Sequence, residues 1–198
     1  LYNRDHEIMN GGSHGEQSDR ALTFAALGNS HYNADLVLNE DLTPEILKQY
    51  SALFINGRCL PRAAVPALKG WVENGGLLVA SAGCATHDEY NSPLPEMEEV
   101  FGARQGHASI SEGYIQPLTL YRHRPIGTVT VSETEFSPSL TADVIGMRNS
   151  LQPTTARPIA TFEDGTCAAA LNKVGRGHVL LWGIQPGIIY KGQRAGAS

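Results

Sequence analysis

Three cysteines in 198 residues, Cys59, Cys84 and Cys167, are too few and too widely spaced for a disulfide framework. No Cys-x-x-Cys pair is present, which removes the usual structural zinc site. Charge is sparse as well: 15 basic against 20 acidic residues, 18 % in all, for a net charge of −5. With 41 % hydrophobic residues this is neither a disordered polyelectrolyte nor a charged coiled coil. The basic residues are scattered, so the chain offers neither a phosphate-tracking surface nor a polybasic membrane segment. No apolar run approaches the roughly 20 residues that a bilayer span needs. Nucleic acid and membrane are therefore not expected partners, and no cofactor is expected. Unpaired cysteines tilt the expectation toward a soluble protein of a reducing, cytoplasmic compartment. No signal peptide, repeat or low-complexity stretch is visible. The start at Leu1 and the Gln193-Arg194-Ala195-Gly196-Ala197-Ser198 end read as cuts from a longer polypeptide, or as the limits of order.

The length suits one domain with a core that needs no staple. Its first half alternates strand and helix. Leu1-Tyr2 reads as the tail of a strand whose beginning is missing. After the loop Asn10-Gly11-Gly12, Ser13 can cap a helix with Glu16 in capping-box spacing. That helix runs to about Leu27, with Ala21, Phe24 and Ala25 as its apolar stripe. Asp35-Leu36-Val37-Leu38 reads as a short strand. Thr43 and Pro44 open a second helix, with Ile46, Leu47 and Tyr50 inward. Ala52-Leu53-Phe54-Ile55 reads as a buried strand. Pro61 opens a third helix, in which Val65, Leu68, Trp71 and Val72 share a face, and Leu77-Leu78-Val79-Ala80 comes next as a strand.

The second half reads differently. A short helix over residues 95–101 closes at Gly102. Beyond it lie β-like stretches at 114–120, 128–132, 157–162, 167–171 and 178–182. Asp164-Gly165 is a hairpin signal, and Gly175-Arg176-Gly177 a second tight turn. Residues 137–153 show little pattern and read as loop. The expected fold is α/β, a doubly wound, mainly parallel sheet with an antiparallel hairpin region added in the C-terminal half.

Such sheets gather their functional groups at the carboxyl ends of the strands. The ligand-cleft candidates are accordingly Asn3, Arg4, Asn56, Gly57 and Arg58, with Gln185 after the last strand. Cys84 is the sharpest chemical candidate. It stands after a buried strand in Ser81-Ala82-Gly83-Cys84-Ala85-Thr86-His87, and a small-residue turn of this kind can build a nucleophile elbow. His87, close to it in sequence, is the second catalytic candidate, and a base from elsewhere in the fold would still be needed. A buried packing thiol is the other reading of Cys84. Pro93 interrupts any helix after it, and His178 begins the last strand instead of ending it. His87-Asp88-Glu89 lacks the spacing of a metal site, and Tyr121-Arg122-His123-Arg124 reads as a solvated loop.

The order Ala52 to Asn56, then Leu68-Lys69-Gly70-Trp71-Val72-Glu73-Asn74-Gly75-Gly76, then Leu77 to Ser81 resembles the β-galactosidase trimerisation domain. That domain belongs to the class I glutamine amidotransferase-like superfamily, with a flavodoxin-like sheet. Residues 21–27 and Ala34-Asp35-Leu36-Val37, the Leu94-Pro95-Glu96-Met97 helix ending in Phe101-Gly102, and the stretch from Ala160 to Pro186 resemble it too. The resemblance implies residues 1–190 as a single domain of that superfamily and 191–198 as a tail. It further implies an accessory domain that carries no catalytic residues, builds an oligomer and helps roof the active site of a neighbouring glycosidase barrel. Active amidotransferases carry a Gly-x-Cys-x-Gly elbow and a His-Pro-Glu stretch after the last strand. Here Ala82 and Thr86 break the first, and Gly183-Ile184-Gln185-Pro186-Gly187 stands in place of the second. The expected function is a non-catalytic accessory or oligomerisation domain of a larger carbohydrate-active, glycoside hydrolase-like protein. Its partners would be further copies of itself or a neighbouring catalytic domain. The alternatives are a divergent Cys-dependent amidohydrolase and a small-ligand or sugar-binding module.

Overall fold

The computed structural model describes residue 1 and residues 15–113, 115, 123–132 and 139–195, with side chains to residue 191. Its elements run α1 (Glu16–Asn29), α2 (Pro44–Leu47), β1 (Ala52–Ile55), α3 (Val65–Glu73), β2 (Leu77–Ala80), α4 (Glu96–Phe101) and β3 (Ala103–Ile110). The chain continues with β4 (Thr128–Val131), β5 (Leu140–Asp143), β6 (Met147–Pro153), β7 (Arg157–Phe162), β8 (Cys167–Val174), β9 (Gly177–Trp182) and α5 (Pro186–Ala195).

Local signals account for several of these elements. Pro66 stands in the first turn of α3, which buries Val65, Leu68, Trp71 and Val72 on one face. In α2, Pro44 sits at the start and the Thr43 hydroxyl accepts the Ile46 N–H at 3.4 Å. The Asp164-Gly165 turn joins β7 to β8, and the Gly175-Arg176-Gly177 turn joins β8 to β9, both as antiparallel pairs.

The strands form one curled, mixed sheet in the order β1-β2-β9-β8-β7-β4-β5, with β6 pairing β8 and β3. Among the described residues only β1–β2 and β2–β9 are parallel; β3–β6, β4–β5, β4–β7, β6–β8, β7–β8 and β8–β9 are antiparallel. This corrects the expectation of a flavodoxin-like, doubly wound and mainly parallel sheet. Parallel neighbours need a crossover, and among the described residues β1–α3–β2 is the one place where consecutive strands that pair with each other are joined through a helix. Tight turns join β7 to β8 and β8 to β9, which makes those pairs antiparallel. Register shifts in β3 and β7 add to the twist that curls the sheet.

Three smaller expectations also change. Residues 140–153, read as loop, supply β5 and β6, because pairing with β4, β3 and β8 gives a weak pattern its partners. Asp35, Leu36 and Val37 lie in no strand. In α1 the buried residues are Glu16, Ser18, Asp19 and Leu22, while Ala21, Phe24 and Ala25 are exposed. The helix starts at Glu16, so Glu16 is its first residue and not its third. The Ser13 cap, the stretch 116–120, Tyr121-Arg122 and residues 196–198 lie outside the described residues.

The larger core cluster lies under α2, α3 and α4 and includes Leu47, Leu68, Leu78, Phe101, Val179 and Leu181. A second, on the antiparallel side, includes Val129, Phe162, Ala168, Ile184 and Ile189. Each Val, Leu, Ile or Phe among them contributes roughly 1.5–3 kcal/mol through burial. Together they fix where the carboxyl ends of β1 and β2 stand. Among the described residues no helix is long and apolar enough to cross a membrane.

Candidate functional site at the strand ends

β1 and β2 are parallel and in register from Ala52↔Leu77 to Ile55↔Ala80, so their carboxyl ends open side by side. The chain leaves β1 through Asn56-Gly57-Arg58 and leaves β2 through the 81–87 turn. Gly57 is left-handed at φ 89°, and its carbonyl accepts the Ala85 N–H at 3.0 Å. Gly83 and Ala85, at φ 74° and 49°, bracket Cys84. The left-handed region suits glycine and costs an alanine something, so the tertiary structure must hold this turn.

Gln105 of β3 does much of the holding. Its Oε1 accepts the Gly83 N–H at 2.8 Å, and its Nε2 donates to the Cys84 carbonyl at 2.7 Å. The Cys84 N–H goes to the Ser81 carbonyl at 3.2 Å. The N–H groups of Gly83, Cys84 and Ala85 are thus all engaged within the protein. An oxyanion hole needs such donors aimed at open space. No helix begins after Cys84 either, since residues 82–85 form a turn. The thiol belongs to the larger core cluster and is 1 % exposed. Burial pushes its pKa well above that of a free thiol, with the Asp19 charge adding to the rise.

His87 is half-buried and bridges two segments by its backbone. Its N–H donates to the Arg58 carbonyl at 3.1 Å, and its own carbonyl accepts the Leu60 N–H at 2.9 Å. The ring is hydrogen-bonded by Arg58, from Nε to Nδ1 at 3.0 Å, and Thr86 Oγ1 lies 3.0 Å from the same nitrogen. Burial lowers the His87 pKa, and the Arg58 charge lowers it further against the pull of Asp88. Both effects favour the neutral ring. Asp88 is spent on its own turn: Oδ1 accepts the N–H groups of Tyr90 and Ser92, and Oδ2 accepts from Arg62. Burial raises its pKa, but the Ser92 N–H, Arg62 and the Tyr90 N–H together hold it below the usual carboxylate range. Among the described residues no group of three His, Cys, Asp or Glu side chains is placed to hold a metal.

Arg58, His87, Thr86, Gln105, Glu16 and Asn149 line a cleft of about 380 Å3 over these turns. Gly57 and Arg58 are therefore brought to one place with the Cys84 turn. Asn56 lies beneath, 7 % exposed, with Nδ2 donating to the Glu16 carbonyl at 3.2 Å. Gln185 is fully buried, and its Oε1 accepts the Met147 N–H at 3.1 Å. It fastens β6 to the segment entering α5. Asn3 and Arg4 lie outside the described residues. His178 opens β9 opposite Leu77, at the amino edge of the parallel strands and away from Cys84.

Sequence reasoning missed Asp19. It is 2 % exposed in the first turn of α1, and its Oδ1 accepts the Gly187 N–H of α5 at 2.8 Å. Burial pushes its pKa up to about 6, against the Gly187 N–H and the Asn56 side chain, which both favour the charged form. An acidic residue in a first helical turn was the available signal. It did not reveal that a second helix would begin on the same carboxylate.

No family model matches the sequence, and no curated protein matches it. The fold does have solved relatives. The β-galactosidase from Bacillus circulans sp. alkalophilus superposes with a TM-score of 0.71 at 14 % identity, over 91 % of this chain and 26 % of that one. The cold-adapted β-galactosidase from Rahnella sp. R3 gives 0.70 at 14 % identity, over 91 % and 27 %. The exo-β-1,4-mannosidase Op5Man5 from Opitutaceae bacterium strain TAV5 gives 0.60 at 19 %, over 91 % and 29 %. The chain spans about a quarter of the length of the β-galactosidases, and at these identities the likeness is one of fold.

Proposed function

We propose that this chain is a non-catalytic accessory domain of a larger glycoside hydrolase-like protein. It would position or assemble that protein, by self-association or by packing on a neighbouring catalytic domain. The observation that carries this reading is the state of the Cys84 turn. The N–H groups of Gly83, Cys84 and Ala85 are committed to internal hydrogen bonds, and the thiol itself is core. A fold shared with about a quarter of two β-galactosidases supports the accessory role. The test is light scattering of the chain, alone and mixed with a glycosidase barrel, beside hydrolysis assays on nitrophenyl glycosides and glutamine. The expected result is a multimer or a complex, with no turnover by the chain alone. A strict monomer that ignores the barrel would overturn the assembly role. Turnover abolished by Cys84→Ala would instead establish a divergent Cys-dependent amidohydrolase.

The polar strand-end cleft favours a second reading, a small-ligand or sugar-binding module. Arg58, Gln105 and Thr86 offer donors and acceptors in a space of about 380 Å3. Calorimetry with a panel of monosaccharides tests it, and no heat from any of them would remove it.

A further inference from the structure

Two sets of residues line the strand-end cleft. Arg58 and Thr86 come from the turns after β1 and β2, and Glu16 comes from α1. Ala108, Ile110, Met147 and Asn149 come from β3 and β6. The register of these two strands explains the second set. Ala108 stands opposite Asn149, and Ile110 stands opposite Met147. Residues two apart on a strand share a face, so the four side chains make one patch. Asn149 is the polar member of that patch, and it is 2 % exposed. The register shifts between Gln105 and Ala108, and Gly106 lies in that irregularity. The Gly106 carbonyl accepts from Asn149 Nδ2 at 2.7 Å, which fixes the other end of the amide as the oxygen. Among the described residues that Oδ1 is buried and accepts no hydrogen bond. A buried acceptor left unmet is costly, and one in the lining of a cleft marks where the donor of a ligand fits.

We propose that this cleft binds an N-acetylated sugar, whose acetamido N–H donates to Asn149 Oδ1. The proposal rests on the reading of the cleft as a small-ligand site. The donor is a secondary amide for a chemical reason. A hydroxyl brings acceptor lone pairs along with its one donor, and Ala108, Ile110 and Met147 offer those lone pairs nothing. An ammonium brings a charge that the same neighbours cannot meet. An amide N–H only donates. Its acetyl methyl then packs on Ala108, Ile110 and Met147, and the acetyl oxygen and ring hydroxyls meet the Arg58 and Thr86 side chains, which can donate. Glu16 accepts from a ring hydroxyl, which a bare amide does not have. Glu16 and Arg58 bring opposite formal charges to the lining, so an uncharged sugar suits it. The space of about 380 Å3 falls within the roughly 300–1,000 Å3 of small-molecule sites.

The test is a titration of the isotope-labelled 198-residue chain, read from its backbone and side-chain amide resonances. N-acetylglucosamine and N-acetylgalactosamine are compared with glucose, galactose and N-methylacetamide. The N-acetyl sugars are expected to shift the Gly106 and Ala108 amides and the Asn149 side-chain amide. They are expected to bind at least about tenfold more tightly than the parent hexoses. Asn149→Leu is expected to cancel that preference. Asn149 also ties down Gly106, so Ala108→Leu serves as the second variant. It leaves Asn149 in place, fills the space of the acetyl methyl and is expected to cancel the preference too. A preference kept in both variants would overturn the proposal. Equal affinity for the N-acetyl sugars and the parent hexoses at these amides would overturn the acetamido assignment and leave the sugar-binding reading standing. N-methylacetamide binding as tightly as the N-acetyl sugars would overturn the proposal as well, because the sugar would then contribute nothing. No shift at these amides from any sugar would remove the proposal and the sugar-binding reading together.

Discussion

The carboxylate of Asp19, in the first turn of α1, accepts the Gly187 N–H in the first turn of α5 at 2.8 Å. One buried anion serves the amino ends of two helices that are 168 residues apart in sequence. Helix amino ends favour negative charge, but full burial disfavours it, and burial dominates here, leaving the pKa at about 6.

That balance makes stability depend on pH. The folded state holds the Asp19 proton more tightly than the unfolded chain, whose value is near 3.8. The contribution is therefore full below about pH 3.8 and is lost as pH rises toward 6. The loss amounts to about 3 kcal/mol. Asp19→Asn keeps an acceptor for Gly187 and removes the titration. Urea unfolding from pH 4 to 7 should show the difference in stability between the two proteins shrinking or reversing as pH rises. Parallel profiles would contradict the assignment.

The close approach of the two helices makes a second prediction. A Cβ at Gly187 would stand 2.3 Å from the Asp19 carbonyl oxygen and 2.6 Å from Thr23 Oγ1. Gly187→Ala should destabilise the protein by about 1–3 kcal/mol, since backbone must shift to admit the methyl. Gly70→Ala, inside α3 with nothing within 4 Å of its Cβ, should instead stabilise by roughly 0.5–1 kcal/mol. Denaturant midpoints of the two variants check the contrast.

The cysteines should differ in reactivity by burial. Cys167 is partly exposed, whereas Cys59 and Cys84 are buried. Iodoacetamide and then peptide mass mapping should mark Cys167 first in the native protein and reach Cys84 only in denaturant. Fast native labelling of Cys84 would revive a catalytic role.

Gln105→Ala should loosen the Cys84 turn. It strands the Gly83 N–H and the Cys84 carbonyl, at a cost of about 1–3 kcal/mol. The same variant should label faster at Cys84 under native conditions than the parent does. A change in stability with no change in labelling would show that the turn stays closed without the clamp.

The elements legible in the sequence are those whose cause is local. The α3 stripe from Val65 to Val72, the Thr43-Pro44 start of α2, the apolar runs of β1 and β2, and the Asp164-Gly165 and Gly175-Gly177 turns stand as the sequence implies. Of the site, Gly57 and Arg58 could be placed beside the Cys84 turn because adjacent parallel strands bring the loops at their carboxyl ends together. The geometry of the turn was not legible, because Gln105 arrives from β3 and its role needs a distant strand.

What the sequence determined by itself was the kind of each local piece: periodicity, caps and turn residues act over a few positions. Only the tertiary structure decided how the pieces pair. The sheet is mostly antiparallel because partners such as β3 and β6, or β4 and β7, meet across long stretches of chain that carry no local mark of their pairing. For the same reason α1 turns Asp19 and Leu22 inward and leaves Phe24 at an open cleft. The burial of Cys84 belongs to that class too. Its neighbours in sequence suggest an exposed elbow, and the core residues that enclose it come from the rest of the fold.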